Sequence, residues 1–162
     1  MTATLASPDE RTAPGTVATT LSAVHDQWME RTAQLLAPAA VPRATFWERW
    51  SAVRFLTDQF HDRFRLEWQL VESLGPMLPA STRYRLAGAR GALERTGSEL
   101  VAAGRRRGSG PQVAILVRRF LDQARRWCAA LELATATLNV EDLPDDSRQL
   151  LARLRTAAGL DL

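Results

Sequence analysis

The chain has 162 residues, 46% of them hydrophobic, with a net charge of +3 and a single cysteine, Cys128. That length supports one domain with its own core, and one cysteine excludes an internal disulfide framework. All 21 basic residues are arginine, so the high isoelectric point reflects arginine's pKa and is not by itself a sign of nucleic-acid binding.

Residues 1–15 are small, polar and proline-containing and are expected to form a disordered tail. They lack the basic start and apolar run of a signal peptide. No stretch approaches about 18 uninterrupted apolar residues, so no membrane span is expected. With the lone cysteine, this points to the cytoplasm. The chain then divides at helix-stop signals. A first helix is predicted from about Thr16 to Ala37, ending at Pro38 to Pro42. A second runs from about Ala44 to Leu74 and stops at "GPMLP". Ser81 is a suitable N-cap for a third, about Thr82 to Ala103, which ends in "GRRRGSGP". Ser109 is suited to cap a fourth, with Pro111 in its first turn, continuing to about Asn139. "LPDDS" introduces a short fifth helix, Ser147 to Ala158. Four long helices with short links predict an all-α, antiparallel up-down-up-down bundle over residues 16–140, with residues 141–162 packed on or beside it.

The second helix carries the clearest pattern. Val53, Leu56, Phe60, Arg63, Glu67, Leu70 and Leu74 follow spacings of three and four, which marks an interior stripe. Arg63 and Glu67 lie within it. Similar stripes are predicted over Leu21, His25, Trp28, Thr32 and Leu35, over Leu86, Arg90, Leu93, Gly97 and Leu100, and over Val117, Phe120 or Leu121, Ala124, Cys128 and Leu131. Three helices therefore place His25, Arg63, Glu67 and Arg90 where core residues belong, and buried charges are normally paired or functional.

These segments resemble bacterial hemerythrin-like (HHE) domains. "FLTDQFHDRFRLEWQLVESLGPMLP" (55–79) is similar to the second helix of that family and "FLDQARRWCAALELATATL" (120–138) to the fourth. "LSAVHDQWMERTAQLL" (21–36) is similar to the first, and "RLAGARGALERT" (85–96) to the third. The resemblance implies a four-helix bundle that holds two irons through inward histidines and carboxylates. Of the implied ligand positions, His25 and Glu67 retain a ligand type. Arg63, Arg90, Ala124 and Cys128 stand where the family has histidine or glutamate. His61 precedes Glu67 by six residues and faces another side of the helix.

The expectation is a non-enzymatic protein whose di-iron centre is lost, with no cofactor. A polar cluster of His25, Arg63, Glu67 and Arg90 would hold its interior, and its role would be binding or regulation through self-association or a protein partner. A second reading keeps metal or a small ligand on His25, Glu67 and Cys128, with non-haem iron as cofactor and a role in oxygen, nitric oxide or iron handling. In a variant of it, Arg63 and Arg90 together hold a small anion. A third reading is an arginine-rich nucleic-acid accessory protein using Arg105, Arg106, Arg107, Arg118, Arg119, Arg125 and Arg126, although no nucleic-acid-binding motif accompanies them. Of the five tryptophans, Trp47 and Trp50 cannot both lie on the interior stripe, so one is expected at the surface.

Overall fold

The computed structural model describes residues 15–160; the tail expected over residues 1–15 lies outside them except for Gly15. The described chain is helical. It comprises α1 (Val17–Leu36), α2 (Phe46–Phe55), α3 (His61–Ser73), α4 (Ala80–Gly104), α5 (Gly110–Ala134) and α6 (Asp145–Ala157). Its β-type contact is an isolated bridge between Thr16 and Asn139, where Val17 N–H donates to the Leu138 carbonyl at 2.8 Å. This contact ties the start of α1 to the end of α5.

The second predicted helix is continuous from Phe46 to Ser73 but not regular. Its start is fixed by a capping box, in which the Thr45 hydroxyl accepts from Glu48 N–H and the Glu48 carboxylate accepts from Thr45 N–H. Between α2 and α3 lies one π-helical turn, Leu56–Phe60. Thr57 has a direct part in it. Its hydroxyl donates to the Val53 carbonyl at 3.0 Å and to the Arg54 carbonyl at 3.2 Å, which competes with the backbone ladder. The wide turn re-aims α3 without breaking it, and every residue of the predicted stripe is buried.

Several helix ends and faces differ from the sequence reading. Ser109 is the N-cap residue of α5, but its side chain makes no capping hydrogen bond to that helix. Its hydroxyl turns back and donates to the Ala103 and Arg106 carbonyls, closing the C-terminal end of α4. Helix α4 begins at Ala80, so Ser81 lies inside the first turn. In α1 the interior residue at the end is Leu36, and Leu35 is exposed. On α4 the buried face runs through Leu86, Leu93, Thr96, Leu100 and Ala103. Arg90 and Gly97 are displaced to its edge because α4 packs chiefly on α5 and, through its C-terminal half, on α2. Helix α6 packs on α3, burying Leu151 and Leu154 and pairing the Ser147 and Ser73 hydroxyls at 2.8 Å.

Two glycines permit the approach of α2 to the α4–α5 corner. A Cβ on Gly104 would stand 2.5 Å from Val53 Cγ2, and one on Gly110 would collide with the Pro42 carbonyl oxygen. Val53 is β-branched and stiff, and the Pro42 oxygen belongs to the backbone, so neither can give way easily. Gly110→Ala is therefore expected to lower the unfolding free energy by about 1–3 kcal/mol in urea denaturation. An unchanged midpoint and slope would contradict this packing.

Candidate functional site

The interior polar residues of α1, α3 and α5 converge at one place. Glu67 on α3 is completely buried. Its Oε2 accepts the indole N–H of Trp127, on α5, at 2.7 Å. Its Oε1 stands 3.2 Å from His25 Nε2, on α1, and 4.0 Å from Arg63 Nε one turn earlier on its own helix. The other ring nitrogen of His25, Nδ1, lies 2.6 Å from Glu132 Oε1 on α5. Arg63 spans back to α1, where its Nη2 donates to the Val24 carbonyl at 3.3 Å and its guanidinium carbon lies 4.9 Å from the centre of the Trp28 ring. Around this group Trp28, Phe60, Phe64 and Trp127 form an aromatic wall.

Charge is balanced within the cluster. Burial alone would disfavour a charged imidazole, but the Cys128 and Glu67 side chains outweigh it and push His25 up to about 11. Glu132 contacts the other ring nitrogen. Burial raises the Cys128 thiol above its ordinary value, and His25 beside it opposes that shift. Burial lowers Arg63, opposed by Glu67 and Cys128. At neutral pH two cations, His25 and Arg63, meet two carboxylates, Glu67 and Glu132. Such a set avoids the large penalty of an isolated buried charge.

The structure separates the expected site residues into two groups. His25, Arg63, Glu67, Ala124 and Cys128 are all buried at the cluster or on the helix faces that form it. Arg90 is not among them. It lies at the edge of α4, donates from Nε to Glu94 at 2.8 Å and stacks on Trp68 with 4.2 Å from its guanidinium carbon to the ring centre. In the expected cluster of His25, Arg63, Glu67 and Arg90, Glu132 thus stands in place of Arg90. The excess of cation that would hold a small anion between Arg63 and Arg90 is absent from this arrangement. His61 is exposed on α3, away from Glu67.

Two participants escaped the sequence reading. Glu132 lies one turn beyond Cys128 and outside the hemerythrin-like ligand pattern; its i+4 spacing from Cys128 was the available signal. Trp127 lies outside the predicted stripe of its helix, yet it donates a hydrogen bond to the buried carboxylate. Of the other tryptophans in question, Trp47 is exposed beside Phe46, and Trp50 is half-buried. The arginines at 105–107, 118, 119, 125 and 126 are exposed, with Arg126 paired to Asp122 and Arg119 near Glu99.

The donor set does not fit a pair of metal ions. A metal bound by His25 and both carboxylates needs lone pairs aimed at common points, but the two ring nitrogens face different carboxylates in opposite directions. Glu67 Oε2 is occupied by an N–H, Arg63 offers only donors, and Ala124 offers nothing. Among the described residues no group of three or more His, Cys, Asp and Glu side chains is arranged to hold a metal, and no helix is long and apolar enough to cross a membrane. No family model, curated protein or solved structure matches the chain.

Proposed function

We propose that the chain is a hemerythrin-like antiparallel four-helix bundle in which an ion cluster stands where that family holds iron. On this reading it acts by binding and regulation, not catalysis. Side-chain pairings support the up-down-up-down order. Residue 25 faces 132 and residue 16 faces 139, so α1 and α5 run oppositely. Arg63 reaches Val24 while Phe60 stacks on Trp28, which sets α3 against α1. Trp68 meets Arg90 while Val53 meets Gly104, and Gly97 meets Phe120 while Glu99 meets Arg119. Phe60 with Phe120 and Phe64 with Trp127 give α3 and α5 the same direction, as diagonal helices of such a bundle have.

The observation that carries the reading is the occupancy of Glu67. Both of its oxygens face donors supplied by the protein, one from Trp127 and the other from His25 and Arg63. Oε1 makes no hydrogen bond, but a metal ion at that oxygen would stand against both cations, His25 and Arg63. The cluster then serves stability and helix register, and recognition falls to the surface, where the exposed Phe46 and Trp47 at the start of α2 offer an apolar contact for a protein partner or a second copy. Protein purified from iron-replete cells is expected to contain far less than one iron per chain and to show no oxo-bridge absorption band. Stoichiometric iron that survives dialysis against a chelator would overturn the proposal and favour the alternative, in which His25, Glu67 and Cys128 hold non-haem iron.

A further inference from the structure

Helices α3 and α4 do not close on one another along their length. Between them, and against the π-helical turn, lies a groove of about 820 Å³, within the range of small-molecule sites. Its floor is apolar and aromatic, formed by Phe60, Phe64, Leu93 and Phe120. Gly97 lies over the Phe120 ring, where an added Cβ would stand 3.4 Å from the ring edge. One end is closed by Arg90 stacked on Trp68, and beyond the other end Val53 meets Gly104. From residue 90 to residue 104 a helix rises about 20 Å, so the groove is long.

Its rim is cationic. Arg90 is paired with Glu94, but among the described residues no carboxylate lies within ion-pair distance of Arg65 or Arg105, both of which line the groove. Arg105 stands where α4 ends, next to Gly104, with its backbone as the C-cap of the helix. An elongated aromatic floor with a guanidinium at one end is complementary to an apolar chain ending in a single carboxylate. We propose that this groove binds a linear aliphatic monocarboxylate, with the chain along Phe60, Phe64 and Leu93 and the carboxylate on Arg105. A guanidinium fork takes a carboxylate by two parallel hydrogen bonds, and burying the chain against the floor supplies the remainder of the affinity. The site is separate from the interior cluster and does not depend on whether that cluster binds metal.

Titration calorimetry with dodecanoate below its micelle concentration tests this on the full chain. Saturable binding at one per chain is expected. Dodecyltrimethylammonium has the same chain with a cationic head and should bind about tenfold or more weakly, as should dodecanoate to Arg105→Ala. Ser98→Trp, an exposed position on the groove wall, should block uptake, and Arg153→Ala on α6 should leave it unchanged. Circular dichroism of each variant confirms the helical fold. Absence of saturable binding, equal binding of the cationic amphiphile, or an unaffected Arg105→Ala variant would each overturn the proposal. So would a chain that dimerises through this groove and takes up no dodecanoate.

Discussion

Glu67→Ala is expected to lower the unfolding free energy by about 3–5 kcal/mol, among the largest losses available from one side chain in this protein. The substitution removes the carboxylate that accepts from Trp127 and faces His25 and Arg63, all of them buried. Two cations are left facing each other with one carboxylate, Glu132, and the Trp127 N–H loses its partner in an apolar wall. Glu67→Gln should lose less, because an amide oxygen can still accept from Trp127. Urea denaturation at pH 7 measures both. A loss under about 1 kcal/mol for the alanine variant, the size of a solvated surface pair, would show that the cluster is open to water.

Raising the pH should destabilise the protein through His25. Its folded-state value, about 11, lies far above the ordinary 6.5, so the imidazolium contributes fully below about pH 6.5 and is lost progressively up to about 11. The groups facing it from each packed helix are Glu67 and Arg63 on α3 and Glu132 and Cys128 on α5. Cys128 and Glu67 favour the charged ring, and burial raises the thiol above its ordinary value. Within this window the unfolding free energy should fall by about 1.4 kcal/mol per pH unit. His25→Gln should be less stable at pH 7 and nearly free of this slope. A native protein whose stability is flat between pH 7 and 10 would mean that His25 is neutral in the folded state.

Much of the cluster was legible because interior positions recur with helical period. His25, Arg63, Glu67, Ala124 and Cys128 were each placed inward by their spacing, and each is buried. Arg90 had equally good spacing and was misplaced. Periodicity gives the face of one helix but not the angle at which its neighbours meet it, and the preference of α4 for α5 rotates residue 90 to the groove edge. Glu132 was not legible for a related reason. It is only partly buried, lying at the rim of α5, and it becomes a partner because His25 reaches outward to it. The π-helical turn left little trace beyond a mid-helix threonine. Yet it forms one wall of the α3–α4 groove, which no single-helix pattern could reveal.

The protonation of His25 in the folded protein tests the central claim most directly. Nitrogen-detected NMR of the imidazole at pH 8 should find both ring nitrogens protonated, with a spectrum unchanged on adding ferrous iron or zinc. A neutral ring, or a His25 signal shifted or broadened by metal, would contradict the account of an ion cluster occupying the bundle interior.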